Sequence, residues 1–268
     1  MQNIRDWNIS RQIPWGIPIP AFYNQNDHND WIFSDQVDEK QVVVNGTTYI
    51  RDEDTFDTWF SSSQWPYIVT DYLQKGDLSR FYPTSVVETG SDILFAWVAR
   101  MIMMGLYVAG DIPFKHVYLH GLVLDEKGQK MSKSKGNVIN PMETIAEFGS
   151  DALRLGLISN RSAAQAQAFS KATVIAGRNF CNKLWNIARY IEDQVGESAP
   201  APKPEPHRMA DHWITGQLNI ATTDIDRLMA DYRFAEAADT LYHVVWDDVA
   251  DWYIEASKVE TNVGMLSW

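Results

Sequence analysis

At 268 residues, with 45% hydrophobic and 22% charged side chains, the chain has room for one or two domains and a sizeable core, as in an ordinary soluble globular protein. The formal net charge of −12 excludes a broadly basic surface, so a phosphate-bearing partner has to be met by local patches. The single cysteine, Cys181, excludes an internal disulfide and a cysteine-based zinc cluster, and suits a reducing, cytosolic compartment. Flanked by Phe180, Leu184 and Trp185 on a predicted helix, it reads as a core thiol rather than a nucleophile. No charged-then-apolar leader and no long uncharged apolar run is found, so neither secretion nor membrane insertion is expected.

Residues 6–23 carry Pro14, Pro18 and Pro20, which rule out a continuous helix and predict an extended, aromatic-rich passage. Residues 27–38 are polar and read as a surface connection. Residues 41–44 and 47–50 flank Asn45-Gly46, a two-residue hairpin signal. A short strand is predicted at 85–88, then a turn, then an apolar helix over 92–106 capped by Ser91. Its stripe of Leu94, Val98, Met101 and Ile102 reads as core. Short strands at 117–119 and 122–124 surround His120-Gly121. The alternation of strand and helix predicts an α/β sheet, expected to be parallel, with ligands gathered at the carboxyl ends of its strands.

Beyond Asn140-Pro141 the pattern turns helical, over 142–148, 152–159, 171–194, 209–229 and 234–258. Four prolines in 198–206 predict a stiff extended connection, and the tail from Glu260 shows no organisation. Helices only are expected beyond about residue 160. Eleven tryptophans are many for this length, and several are expected to shape pockets or domain contacts.

The stretch that stands apart is 127–140, where Lys127, Lys130, Lys133 and Lys135 fall within nine residues, interleaved with Ser132, Ser134 and two glycines. It has no apolar repeat and misses the Walker spacing, so it reads as an exposed, mobile loop able to wrap an oligophosphate, with Gly128 and Gly136 as hinges. Lys130-Met131-Ser132-Lys133-Ser134 matches, letter for letter, the signature loop of class I aminoacyl-tRNA synthetases, and residues 118–125 resemble the strand and turn that precede it there. Asp57-Thr58-Trp59-Phe60-Ser61-Ser62 and residues 89–101 resemble the valine-specific branch more than its isoleucine and leucine relatives. Residues 6–23 resemble the return from that family's editing insertion, residues 149–154 its stem-contact helix, and residues 210–214 and 252–258 its helical anticodon-binding domain.

The resemblance implies the second half of a Rossmann-like catalytic domain over 1–160, followed by part of an all-α anticodon-binding domain over 161–268. It implies activation of valine by ATP, supplied as its Mg2+ complex, and transfer to tRNA(Val), with no structural zinc or other protein-bound metal. Lys130 and Lys133 would stabilise the leaving phosphates, and Lys133 is the stronger candidate. His120, Gly121, Met131, Ser132 and Ser134 would complete the ATP site, while Trp59, Asp92 and Ile93 would form the valine pocket, Asp92 holding the ammonium. None of the six histidines begins the family's other signature, His-x-Gly-His, so a separate N-terminal half is an expected partner and the chain by itself is expected to be inactive. The alternative is a non-catalytic, synthetase-derived RNA-binding or scaffold module.

Overall fold

The computed structural model describes residues 6–159, 164–196 and 205–268, which form two compact units, Met1–Tyr118 and Leu119–Trp268. The connection expected at 198–206 falls almost wholly outside the described residues.

The first unit opens with strand β1 (Ser10–Arg11), whose antiparallel partner is β6 (Thr55–Phe56). Between them, β2 (Ala21–Asn24), β3 (Asp27–Phe33), β4 (Gln41–Val44) and β5 (Thr47–Arg51) make an antiparallel sheet in the order β3-β2-β5-β4. The predicted hairpin is present, with Asn45 at φ 51° and Gly46 at φ 80°, the left-handed pair that a tight turn between twisted strands requires. Phe22, Val42 and Tyr49 bury one face against Ile32.

One expectation for this sheet fails. Residues 27–33 are a strand, not a connection; at the sheet edge most of their side chains face water, so no apolar alternation betrays them. Asp30 secures that edge by accepting from the Tyr49 hydroxyl and the Asn24 amide, both at 2.9 Å. The strands of this sheet are antiparallel, as the hairpin signal requires, because two-residue turns return the chain directly, whereas parallel pairing needs a long crossover.

Two short helices follow, α1 (Thr58–Ser63) and α2 (Trp65–Val69), the second begun by Pro66 in its first turn. Strand β7 (Thr84–Gly90) leads into a helical run, Ser91–Ala109, whose regular central turn is α3 (Arg100–Met104). Ser91 is itself the first helical residue, and no side chain caps this end, so the predicted Ser91 cap is not formed. Val98 and Met101 of the predicted stripe are buried with Phe114, and Ile102 packs beside them, but Leu94 is exposed. By length and composition this run, which carries Asp92 and Arg100, is apolar enough to cross a membrane. Val98, Met101 and Arg100 nevertheless tie it to the unit's own core and to Asp57. Strand β8 (Phe114–His120) pairs with β7, the two starting side by side where the Thr84 N–H donates to the Pro113 carbonyl at 2.9 Å.

The second unit begins within the last residues of β8. Strand β9 (Val123–Leu124) is followed by the lysine loop and by helices α4 (Pro141–Phe148) and α5 (Ser150–Ile158). A two-residue strand, β10 (Gln167–Ala168), then pairs with β9 in parallel. It overturns the expectation of helices only beyond 160. The crossover through α4 and α5 brings residues 164–169 alongside 119–124, where Ala164, Gln167 and Phe169 donate to the Leu119, Leu122 and Leu124 carbonyls at 2.9–3.0 Å.

That approach is close enough to require glycine at 121: a Cβ there would lie 1.5 Å from the Gln165 carbonyl oxygen. Gly121→Ala is therefore expected to destabilise the second unit by about 1–3 kcal/mol, the usual cost of forcing extra volume into packed structure. A thermal melt indistinguishable from the parent's would contradict this.

The rest is helical: α6 (Lys171–Val195), α7 (Met209–Ala230) and α8 (Phe234–His243), the last continuing through wider turns at Val244–Ile254 into α9 (Glu255–Val259). The tail, expected to lack organisation, forms α10 (Val263–Ser267), whose first turn is capped by Asn262 accepting from the Met265 N–H at 3.2 Å. Met265 and Leu266 bury against Ile214, Tyr253 and Ile254. Cys181 lies half-buried on α6, and burial, with Asp151 nearby, pushes its thiol up from the ordinary value, as a structural thiol requires.

Candidate functional site

The chemistry-bearing residues of the second unit sit on one continuous path. His120 and Gly121 are half-buried at the end of β8; β9 follows, and the lysine loop folds back so that Lys130 bridges Leu124 in antiparallel fashion. The turn between them is tight: the Asp125 N–H donates to the Gln129 carbonyl and the Gly128 N–H to the Asp125 carbonyl, each at 2.9 Å. Residues 126–130 and 133–136 are exposed, whereas Met131 and Ser132 are half-buried. Lys133–Lys135 form one turn of 3-10 helix, ended by Gly136 at φ 66°, a left-handed conformation natural to glycine. The Ser132 and Ser134 hydroxyls lie 3.2 Å apart. The loop lysines are thus at the exposed surface beside hydroxyl groups, an arrangement that can gather around a polyphosphate.

Two residues that sequence reasoning left without a role organise this loop. Asp125 uses Oδ1 to accept from the Lys127 and Gln129 N–H groups at 3.0 and 2.7 Å, and Oδ2 to accept from the Asn137 amide at 2.8 Å. Asn137 in turn accepts from the Ser132 N–H at 2.9 Å and donates to the Lys130 carbonyl at 3.3 Å. The Asn137 bond foremost, then those from Gln129 and Lys127, hold the Asp125 carboxyl below its ordinary value. An Asx-type turn after Leu124 and the Lys-Gly-Asn sequence were the available signals, but nothing in the sequence pairs positions 125 and 137. The loop also borders a cavity of about 510 Å3 lined by Asp125, Lys127, Lys135, Asn137 and Lys171 among others.

In the first unit, Trp59 is half-buried on α1, Ile93 is half-buried and Asp92 exposed in the first turn of the helical run. These two helices are neighbours, since the Trp97 indole N–H donates to the Ser62 carbonyl at 3.2 Å. Trp59 and Ile93 therefore come from adjacent elements, although more than thirty residues separate them.

The local organiser is Asp57, buried at the start of α1. Its Oδ1 accepts from the Trp59 N–H at 3.2 Å, and its Oδ2 accepts from the Trp7 indole at 2.8 Å and the Arg11 guanidinium at 2.7 Å. Arg100, from the helical run, stands 3.7 Å from the same oxygen and lies over the Trp7 ring at 3.6 Å. One carboxylate thus links the extended N-terminal passage, the helix of Trp59 and the helix of Asp92 and Ile93. Among the described residues, no three His, Cys, Asp or Glu side chains cluster as a metal site.

Comparison with known proteins gives these geometries a context. Residues 1–170 match the family described as tRNA synthetases class I (I, L, M and V), and residues 211–265 match the anticodon-binding domain of tRNA ligase. The chain is 42% identical over 260 residues to the valine–tRNA ligase of Dehalococcoides mccartyi strain CBDB1, covering 97% of this chain and 29% of that protein. It is 40% identical over 267 residues to the valine–tRNA ligase of Lactobacillus acidophilus, covering 98% and 30%.

Among solved structures, a chain of the Agrobacterium radiobacter K84 LeuRS–tRNA–LeuAMS ternary complex superposes with a TM-score of 0.81 at 22% identity, covering 98% of this chain and 38% of that one. Methionyl-tRNA synthetase of Mycobacterium tuberculosis, bound by methionyl-adenylate, gives 0.59 at 15% identity, covering 92% and 64%. At those identities the likeness is one of fold. The chain spans about three-tenths of the length of these curated relatives.

Proposed function

This chain belongs to the class I tRNA synthetases (I, L, M and V), and on that premise we propose that it is the lysine-loop part of a cytosolic valine–tRNA ligase. The observation that carries the reading is the intact Lys130-Met131-Ser132-Lys133-Ser134 loop, its lysines exposed, which follows the His120-Gly121 turn and folds back on β9. Identity of 40–42% to valine–tRNA ligases along nearly the whole chain supports valine over isoleucine or leucine as the amino acid.

In this reading the valine carboxylate attacks the α-phosphate of Mg2+-bound ATP in line, and pyrophosphate leaves. Such a transition state needs preorganised positive charge on the leaving phosphates more than it needs an acid or a base. Lys130 and Lys133 supply that charge. Met131, Ser132 and Ser134 complete the loop's contacts, and His120 and Gly121 hold the adenosine.

The first unit supplies valine recognition: Trp59 and Ile93 as apolar walls for a small branched side chain, and Asp92 as the carboxylate for the ammonium. The functional division is 1–160 for the catalytic part and 161–268 for the anticodon-binding part, with tRNA(Val) as the acceptor. A His-x-Gly-His half is the further component.

The valine pocket is tested through Trp59. With such a half supplied, Trp59→Ala is expected to raise the KM for valine about tenfold or more in ATP–pyrophosphate exchange, while the KM for ATP stays unchanged. Truncating a pocket aromatic removes contact area that only the amino acid covers. A change confined to ATP would reject the pocket.

A further inference from the structure

Asp125 and Asn137 lie outside the signature pentapeptide, one on each side of it. Between them they hold the backbone of its first half, through the Ser132 N–H at 2.9 Å and the Lys130 carbonyl at 3.3 Å. Their own side chains join at 2.8 Å, closing a ring across a loop whose lysines are exposed. A loop carrying four like charges within nine residues would otherwise spread by mutual repulsion, and its glycines offer little resistance.

We infer that Asp125 and Asn137 form a clasp that positions Lys130 and Lys133 for the leaving pyrophosphate. Both are positioning residues, acting through the loop backbone rather than touching the phosphates. The inference rests on the phosphate-binding role proposed above for the loop. The cost of ordering the lysine-bearing backbone is met by neutral and charge-assisted hydrogen bonds at its two ends before any phosphate arrives, so a bound polyphosphate need not supply it. Asp125 also accepts from the Lys127 backbone N–H, fixing the loop's near end, and Lys133 is carried forward on the 3-10 turn beyond the clasp.

The geometry allows a specific exchange test. In Asp125→Asn two amide NH2 groups would face each other. If Asn137 turned over to accept, it would lose the Ser132 N–H. In Asn137→Asp two carboxylates would meet. In the double variant, the new amide at position 125 keeps an oxygen for the Lys127 and Gln129 N–H groups. It offers its NH2 to the new carboxylate at position 137, which still accepts from Ser132. Only the longer contact to the Lys130 carbonyl is lost.

The loop lysines are themselves trypsin sites, so limited proteolysis of the 268-residue chain reads the clasp directly. Each single variant is expected to be cut within 127–135 about tenfold faster than the parent, the worth of one charge-assisted hydrogen bond, and the double variant to return to the parent's rate. Inorganic pyrophosphate should protect the loop in the parent and the double variant, but not in the single variants.

Unchanged cleavage in the single variants, or a double variant cut as fast as they are, would overturn the clasp. Faster cleavage with equal protection by pyrophosphate in every variant would overturn its positioning role. A parent with the clasp signature that pyrophosphate fails to protect would refute the positioning role together with the phosphate reading of the loop, leaving a purely structural clasp.

Discussion

Lys133→Ala, in this chain supplied with a His-x-Gly-His half, is expected to slow valine-dependent ATP–pyrophosphate exchange by a factor of about 10²–10³, or about 2.7–4 kcal/mol of transition-state stabilisation. The KM for valine should move little, because an interaction made with charge that develops on the leaving phosphates is absent from the amino-acid ground state. Lys133 opens the exposed 3-10 turn and sits between two serines, one of which, Ser132, is held by Asn137. Its charge is therefore presented from ordered backbone. Equal losses in kcat and in valine affinity, or no loss, would remove Lys133 from the proposed role. Lys130→Ala is the natural comparison, since it tests whether the two lysines act as a unit.

Asp211→Ala should have the largest effect on stability. Asp211 is fully buried in the first turn of α7, yet it is ionised and saturated. Its oxygens accept from the Arg208 guanidinium at 2.9 Å, the Tyr253 hydroxyl at 3.0 Å, the Asn262 amide at 2.9 Å and the His207 N–H at 3.1 Å. Burial, the largest single influence, opposes ionisation, but the donors outweigh it and hold the carboxyl well below its ordinary value. Burial, followed by the bond to Asp211, pushes the Tyr253 hydroxyl up to about 12.

Removing the carboxylate leaves these donors unpaired in the core and detaches Asn262, the residue that starts α10. The expected cost is about 3–5 kcal/mol, the range for breaking a buried charged network from one side. A thermal shift of roughly 10 °C should follow in a domain of this size, and a shift within experimental error would contradict it. The pH dependence has a definite sign. A carboxyl whose folded value lies below the unfolded 3.8 contributes fully above that pH, and its contribution is lost as pH falls through the folded value. Asp211→Ala should therefore flatten the acid limb of the stability curve and leave the neutral region parallel to the parent's.

What the sequence reveals depends on how far apart the cooperating residues are. The lysine loop is legible because its whole signature is contiguous, and the hairpin at Asn45-Gly46 because two adjacent residues encode their own φ values. Helices α6 and α7 announce themselves by period. Strand β3 does not, because an edge strand has one face and one side in water and can afford polar residues. Strand β10 is two residues long, and its existence follows from the crossover that lays it beside β9, not from Gln167 and Ala168 themselves. Helix α10 is likewise tertiary, its start fixed by Asn262, which is held by Asp211.

The candidate site shows the same division. Its lysines, its serines and the His120-Gly121 turn were each readable in place. The Asp125–Asn137 clasp and the Asp57 junction among Trp7, Arg11 and Arg100 are pairings across 12 to 50 residues, to which local patterning is blind.

Valine-dependent ATP–pyrophosphate exchange, measured on the purified 268-residue chain by itself and again with a His-x-Gly-His half supplied, tests the central claim most directly. In the proposed reading this chain supplies lysines for the leaving phosphates and residues for valine, and none of its six histidines begins His-x-Gly-His. The account predicts no exchange from the chain by itself and exchange on addition of the half, driven by valine in preference to isoleucine and leucine. Robust exchange by the chain by itself, or exchange in the completed enzyme that prefers isoleucine or leucine, would contradict it.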